Sequence, residues 1–373
     1  MSVLDKKILG SILGFAVGDA FGVPFEEMSP DNINKQYGGV IRDMVEVGPR
    51  LLGGGNFYEH HVLMPTPEAK LEPERPPHPF GAYSAKAGEY SDDTRYTLLC
   101  AKCVVKYKRR VSNVEFAKFI SEWVQDLISN RPEDDLERRW AQDMFKFEVI
   151  AMIAKHPRVF SPLYEILTGW DTVAGLINPF DPYEAGCDGG PMSSAVAEAM
   201  KPDATVDSII KAARDAYWTL PGSICAEGVP FLQNEFIRRV DQIIEFAEKT
   251  YDPEAVVRFI YDRYLVAFPP YNIMFPMEMI PTALGLFKAC KGDFAETVIW
   301  CSYFGRDCDG IAAMGGALAG TLHGADVIPK DWADKVLAID RYGLLDTTEK
   351  LTAVIKNKLD MVSRQAEYYN KLK

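Results

Sequence analysis

Apolar side chains recur at helical spacing along most of the chain. After the capping box formed by Ser112 and Glu115, apolar residues follow at intervals of three and four: Phe116, Phe119, Ile120, Trp123, Val124 and Leu127. Asp252 and Pro253 open a similar stretch, as an N-cap and as the proline that is favoured at the first helical position. Both patterns predict helices that bury one face.

The same periodicity predicts helices over much of the remaining chain. The approximate ranges are 3–19, 93–109, 136–155, 192–200, 205–219, 226–250, 278–290, 293–303, 310–323, 331–338 and 347–371. Strand patterns are scarce, and the best of them, Val40 to Val47, is weak. We therefore predict an all-α fold in a single compact multi-helix domain that spans residues 1–373.

The segment at about 49–88 interrupts the helical pattern. It contains seven of the 24 prolines, the run Gly53-Gly54-Gly55 and three of the five histidines, so it cannot form a helix. Loops of this length are usually functional or disordered. We predict an insertion here, which either folds over a site as a lid or crosses the surface passively.

Small residues recur at every fourth position in two predicted helices. One series is Gly10, Gly14, Gly18 and Gly22, and the other is Ala312, Gly316, Gly320 and Gly324. Glycine in a helix interior costs about 0.5–1 kcal/mol relative to alanine, so such a series requires a packing reason. Small residues at this spacing form a groove that lets another backbone approach closely. We predict that the two grooves face each other or a shared neighbour.

Two acidic clusters occur where helices are predicted to begin. The first is Ser91-Asp92-Asp93-Thr94 and the second is Asp307-Cys308-Asp309-Gly310. Contact between the two grooves would place Asp19 and Glu26 near the second cluster. Adjacent carboxylates repel one another unless a cation lies between them, and a hard divalent ion is the usual cation for oxygen ligands. Either pair alone is more typical of helix capping, but the two together favour a site for one or two Mg²⁺-like ions.

Composition and charge exclude several classes of protein. The chain has 47% hydrophobic and 25% charged residues, as a soluble globular protein does. A net charge of −12 argues against a nucleic-acid partner, which requires a basic patch. Seven cysteines in so long a chain predict reduced thiols and a cytoplasmic location. Residues 8–18 are apolar but run directly into Asp19, which favours a buried helix over a signal peptide; we predict no membrane association.

Three motifs resemble those of a known family. They are Gly14-Phe-Ala-Val-Gly18-Asp19-Ala-Phe-Gly22-Val-Pro-Phe-Glu26, then Ser91-Asp-Asp-Thr94, and then Gly305-Arg-Asp-Cys-Asp-Gly-Ile-Ala-Ala-Met-Gly-Gly-Ala-Leu-Ala-Gly320. In this order, and over nearly the whole chain, they resemble the ADP-ribosylglycohydrolases, the family of the dinitrogenase reductase-activating glycohydrolase. The segment from Gly186 to Met192 looks like a divergent form of the family's central glycine-rich segment.

The resemblance implies an all-α fold around a central binuclear site for Mg²⁺, or for Mn²⁺. By position, the implied metal ligands are Ser91, Asp92, Asp93, Asp307 and Asp309. Glu26 matches a catalytic glutamate of some members, and any of Glu26, Asp307 and Asp309 can act as a base. The residues that we expect to bind the substrate are Asp19, Arg306, Asp188, Gly189, Gly190 and Met192.

The implied reaction is hydrolysis at the anomeric carbon of a ribose that is attached to a protein side chain or a small group. Such a reaction passes through an oxocarbenium-like centre, and metal ions can hold the ribose hydroxyls and activate a water molecule. The implied partner is an ADP-ribosylated protein or a small ribosyl compound.

Three departures from the family pattern leave alternatives open. Ser91 replaces a threonine but keeps its hydroxyl, whereas Gly310 stands where a threonine or serine is usual, so one oxygen ligand must come from elsewhere. The segment after Gly186 lacks the usual Asn-Gly start and the arginine after its methionine, which leaves open whether ADP is part of the substrate. A non-catalytic protein that binds ADP-ribose or a riboside on the same scaffold is the alternative to an enzyme.

Overall fold

A computed structural model of the chain describes residues 1–52, 70–71, 86–155, 164–217, 229–265 and 276–372. Most of the predicted 49–88 insertion, including its three histidines, therefore lies outside the described residues. Whether that segment acts as a lid stays a prediction.

Seventeen α-helices account for most of the described residues. They are α1 (Val3–Gly22), α2 (Pro30–Tyr37), α3 (Asp92–Tyr107), α4 (Asn113–Asn130), α5 (Leu136–Met144), α6 (Phe147–Lys155), α7 (Tyr164–Ile177), α8 (Pro182–Gly189), α9 (Pro191–Ala199), α10 (Val206–Asp215), α11 (Val229–Thr250), α12 (Pro253–Ile260), α13 (Pro276–Ala289), α14 (Phe294–Tyr303), α15 (Cys308–His323), α16 (Lys330–Ile339) and α17 (Leu344–Asn370). The described strands, β1 (Leu51–Leu52) and β2 (Lys70–Leu71), form a two-residue antiparallel pair. The predicted all-α fold is confirmed.

Three helices escaped prediction because their sequences carry little helical periodicity. Helix α2 has only eight residues and begins with the N-cap Ser29 and a proline, so it is too short to show a repeat. Every residue of α7 from Asp171 to Ile177 is buried, which removes the polar face that an amphipathic pattern requires. Helix α8 is short and contains two glycines, which are poor helix formers. The predicted helix 136–155 is in fact two helices, α5 and α6.

The weak strand pattern from Val40 to Val47 does not form a strand. The segment has no strand in the structure, and its side chains attach to helices instead. Arg42 pairs with Glu296 of α14, while Asp43 pairs with Lys335 of α16. Its apolar residues therefore pack against the helical body rather than against a neighbouring strand.

Helices α1 and α15 run antiparallel in direct backbone contact. The opposed pairs are Gly10 with Gly320, Gly14 with Gly316 and Gly18 with Ala312. A Cβ atom added to the three α1 glycines would lie 2.1, 2.4 and 2.0 Å from the carbonyl oxygen of the opposite residue. No side chain fits at that distance, so glycine is required at these positions. The predicted contact between the two grooves is confirmed.

This helix pair forms the centre of the core. Every residue of α15 from Cys308 to Thr321 is buried. The range Val3–Phe25 has the length and the mean hydropathy, 1.6, of a membrane span, but 94% of its 18-residue window is buried inside the protein. Such burial is that of a core helix, as predicted.

At one end of the pair, the buried ammonium of Lys7 donates to the carbonyl oxygens of Ala199 at 2.7 Å and of Leu322 at 2.9 Å.

The close contact gives a stability prediction whose sign opposes helix propensity. Alanine is the better helix former, yet a methyl group at Gly18 would overlap the Ala312 carbonyl. We expect Gly18→Ala to lower the free energy of unfolding by about 1–3 kcal/mol, measured by urea denaturation. At Gly48 a Cβ meets nothing within 4 Å, so Gly48→Ala is the control and should stay within about 0.5 kcal/mol of the wild type. A stabilised Gly18→Ala variant would contradict the contact.

Candidate functional site

A sharp corner before α15 joins the first motif to the third. Gly305 and Arg306 both have left-handed backbone angles, with φ of 70° and 61°. A Cβ at Gly305 would lie 2.0 Å from the Met28 carbonyl oxygen, so this position requires glycine. The Arg306 N–H donates to that same oxygen at 2.8 Å, and the Glu27 N–H donates to the Arg306 carbonyl at 2.7 Å. These reciprocal bonds fix Glu26, which precedes them, beside the start of α15.

Three carboxylates converge at this corner. Glu26, Asp307 and Asp309 each offer one oxygen, and the three oxygens lie within 4.8 Å of one another. Asp307 Oδ2 and Asp309 Oδ1 are buried, and neither accepts a hydrogen bond within the described part of the chain. Burial of a polar group without a partner is costly, and most of all for an ionised group. A cation bound between these oxygens would remove that cost, so the residues fit a divalent ion.

The first acidic cluster reaches the same place from α3. Ser91 is the N-cap of α3, where its Oγ accepts a hydrogen bond from the Asp93 N–H at 3.2 Å. Asp92 and Asp93 form the buried first turn. A Cβ placed on Gly310 would lie 3.0 Å from Asp93 Oδ2 and 3.1 Å from Asp307 Oδ2, so carboxylates of the two clusters flank this glycine. The structure thus brings both predicted clusters together. Their role as metal ligands stays a prediction.

Burial and mutual repulsion together set the electrostatics of this acidic site. Burial, followed by the charges of Glu26, Asp307 and Asp93, raises the pKa of Asp309 well above its usual value. Burial and then the charge of Asp19 raise the pKa of Asp93 in the same way. Burial and the neighbouring charges therefore both oppose the ionisation of these carboxyl groups.

Asp19, whose contact with the substrate stays a prediction, is hydrogen-bonded to the start of α3. Its side chain is fully buried. Asp19 Oδ1 accepts from the Ser91 N–H at 2.8 Å, and Oδ2 accepts from the Thr94 N–H at 2.9 Å and from the Thr94 hydroxyl at 2.5 Å. A carboxylate at a helix N-terminus satisfies free N–H groups and complements the helix dipole. Asp19 therefore positions the first turn of α3.

Arg306, which we expected to bind the substrate, is paired with another side chain inside the protein. Its guanidinium is fully buried and makes a bidentate ion pair with Glu278 of α13; the bond from Nη2 to Oε2 is 3.0 Å. The glutamate was missed at the sequence level, although a single carboxylate in the apolar run Met277-Glu278-Met279 is itself a sign of a buried charge. Because Arg306 is paired with Glu278, it anchors the corner to α13. Substrate binding by Arg306 stays a prediction.

The glycine-rich segment lies at the junction of α8 and α9. A Cβ at Gly189 would lie 1.8 Å from Ser193 Oγ, and Gly190 has a positive φ of 93°. Met192 is buried in the core, and its expected contact with a substrate stays a prediction. The side chain of Asp188 lies outside the described part of the structure. Substrate binding by Gly189, Gly190 and Asp188 stays a prediction.

Arg50 is a second residue that sequence reasoning missed. Its side chain is buried, and its Nη1 donates to the Glu26 carbonyl at 2.7 Å and lies 3.6 Å from Glu26 Oε2. It stands at the edge of the proline-rich segment, where no periodicity or motif distinguishes it. Only the fold brings it to the acidic site.

Comparisons with known proteins agree with these motifs. The model of the ADP-ribosylglycohydrolase family matches residues 1–215 and 182–360. A relative, ADP-ribosylhydrolase ARH3 of Gallus gallus, is 28% identical over 117 residues, which span 29% of this chain and 29% of the length of that relative. A solved structure titled ADP-ribosylglycohydrolase-related protein complex is similar with 18% identity and a TM-score of 0.43, over 95% of this chain and 99% of the other. Since the family model covers most of the sequence, the chain belongs to the ADP-ribosylglycohydrolase family.

Proposed function

We propose that this protein is a divalent-metal-dependent hydrolase that cleaves a ribosyl bond at the anomeric carbon. Family membership supports the broader statement, a glycohydrolase of the ADP-ribosyl type. The observation that carries the metal dependence is the pair of buried oxygens, Asp307 Oδ2 and Asp309 Oδ1, which accept no hydrogen bond among the described residues and lie beside Glu26.

The oxygen-bearing side chains of the acidic site suit Mg²⁺ or Mn²⁺, and there are enough of them to hold two ions. Carboxylate and hydroxyl oxygens are the ligands that these hard ions prefer. The residues that would hold the ions are Ser91, Asp92, Asp93, Asp307 and Asp309. When bound, such ions supply Lewis acidity, which polarises bound oxygens and lowers the pKa of a water molecule.

The three carboxylates that meet at the start of α15 differ in their exposure to solvent. Asp307 and Asp309 are each about 5% exposed, whereas the side chain of Glu26 is 21% exposed. Glu26 is therefore best placed to take a proton from an attacking water and to pass it to solvent. The buried pair is better placed to hold the reacting ribose and its ions in one orientation.

The family comparison leaves the leaving group open. Arg306 is committed to Glu278, so phosphate recognition through that arginine is not part of the proposal. We propose a ribosyl compound or an ADP-ribosylated protein as the substrate, and neither a nucleic acid nor a membrane as a partner. The five described cysteines are all free, which supports a reducing compartment, the cytoplasm.

The substrate class is tested by a screen of the purified protein in Mg²⁺ and in Mn²⁺. One set contains ADP-ribosylated protein, and the other contains nucleosides and simple N- and O-ribosides. Turnover in either set supports the enzyme and identifies the leaving group. Calorimetric binding of ADP-ribose without turnover of any compound would instead establish the alternative, a non-catalytic binding protein, which the missing hydroxyl at Gly310 favours.

Asp309→Asn tests the acidic site directly. We expect hydrolysis to fall by about 10²-fold or more, because the change removes a carboxylate from the reacting centre. The metal-free variant should be at least as stable as the metal-free wild type, since one repulsive charge is lost. Asp360→Asn, at an exposed position of α17, is the matched control and should change neither property. Chelator-resistant activity, or full activity in Asp309→Asn, would refute the proposal.

The raised pKa values predict how pH changes the stabilisation by metal. For Asp93, Asp307 and Asp309, the folded-state pKa lies above the unfolded value of 3.8. Such groups give stability that is present below the unfolded pKa and is lost as the pH rises through the folded pKa. Mg²⁺ binds the ionised carboxylates and restores that loss, so its effect on the Tm should be larger at about pH 8 than at about pH 5.5. Thermal scans with Mg²⁺ and with chelator measure both shifts, and equal shifts would contradict this prediction.

Gly310→Ser tests whether an oxygen ligand is missing. The added Cβ would meet the flexible Met279 Cε at 2.8 Å and Asp93 Oδ2 at 3.0 Å, so the new hydroxyl would enter the acidic site. We expect Mn²⁺ to bind more tightly by about 1 kcal/mol, the usual contribution of one added polar contact. Gly310→Ala adds the same carbon without an oxygen and should not tighten binding. If both variants bind Mn²⁺ equally, the hydroxyl is not a ligand there.

A further inference from the structure

Arg50 lies between two adjacent glutamates. Its Nη1 is 3.6 Å from Glu26 Oε2 and donates to the Glu26 carbonyl at 2.7 Å, while its Nη2 is 3.9 Å from Glu27 Oε2. Arg50 is 4% exposed and Glu27 is 2% exposed. A buried guanidinium requires negative partners, and these two glutamates supply them.

The position of Arg50 is fixed from both sides. The Gln36 amide of α2 donates to the carbonyl oxygen of Pro49, the preceding residue, at 2.6 Å. On the other side, Glu27 has a left-handed φ of 64°, which turns the chain so that the two glutamates diverge from one backbone corner. That corner is in turn bonded to Arg306. The guanidinium therefore lies against a rigid corner.

The Glu26 carboxylate lies between the acidic site on one side and the positive charge of Arg50 on the other. One of its oxygens belongs to the group of three that includes Asp307 and Asp309, while Oε2 lies near the Arg50 guanidinium. A cation bound to the carboxylate group would lie close enough to Arg50 to be repelled by it, and both cations would draw on the same carboxylate. The guanidinium of Arg306, by contrast, makes two side-chain hydrogen bonds to Glu278.

We propose that Arg50 is a positioning residue that holds Glu26 at the edge of the acidic site and weakens the site's affinity for divalent ions. This inference rests on the proposed metal-dependent function. The two effects have opposite consequences for an enzyme. Arg50 favours catalysis because it orients Glu26 for proton transfer, but its positive charge weakens the binding of the ion. A residue with only a structural role would not tighten ion binding when it is replaced.

The test is a titration of the full-length protein with Mn²⁺, in which electron paramagnetic resonance measures the bound and free ion. We expect Arg50→Gln to bind Mn²⁺ about tenfold more tightly, because a nearby positive charge is removed. We expect its kcat to fall about tenfold, because Glu26 loses its anchor. Arg50→Lys keeps the charge, so its affinity should match the wild type while its kcat falls.

Two further variants make the result specific. Arg42 lies on the same segment as Arg50 and forms an exposed ion pair with Glu296. Arg42→Gln should therefore change neither the affinity for Mn²⁺ nor the kcat. If Arg50 acts through Glu26, then Arg50→Gln should lower kcat far less in a Glu26→Gln background. Unchanged or weaker Mn²⁺ binding in Arg50→Gln overturns the inference alone. Failure of the wild type to bind Mn²⁺ overturns the proposed function as well. Should Arg50→Gln not fold, a wild-type kcat in Arg50→Lys still overturns the positioning role.

Discussion

The direct contact between the backbones of α1 and α15 is the constraint on which the site depends. Two helices approach this closely only where at least one residue of each opposed pair lacks a Cβ, and the two series of small residues provide that over three turns. The end of α1 leads to Glu26, and the start of α15 carries Asp307 and Asp309. The packing that builds the core therefore also sets the distance between the carboxylates.

The core contains several buried carboxyl groups, and other groups of the protein neutralise or hydrogen-bond only some of them. Asp19 is satisfied by the N-terminus of α3, and Arg306 is neutralised by Glu278 rather than by the site. The carboxyl groups of Asp93, Asp307 and Asp309 remain, with their pKa values raised by burial and by one another. Burial of several carboxyl groups so close together lowers the stability of the folded protein.

The sequence was most informative where a pattern has a single physical cause. Glycine at every fourth position of a helix has little explanation other than close packing, so the α1–α15 contact was predictable. Two acidic clusters at helix starts were likewise enough to predict that they meet. Arg50 and Glu278 were not predictable, because each reaches the site from a segment without a motif. The hydrogen bonds of Asp19 to the start of α3 and of Arg306 to Glu278 were likewise not predictable, because they join residues far apart in the sequence.

A groove of evenly spaced glycines does not by itself define a register. Because the small residues repeat every four positions, a slip of one helical turn would keep glycine opposite glycine while moving Glu26 about 6 Å along α15. The contacts that forbid the slip lie at the two ends: Lys7 on the carbonyl oxygens of Ala199 and Leu322, and the reciprocal bonds of Arg306 with Glu27 and Met28. The geometry of the acidic site is thus set by these end contacts, because the grooves alone would accept several helix pairings almost equally well.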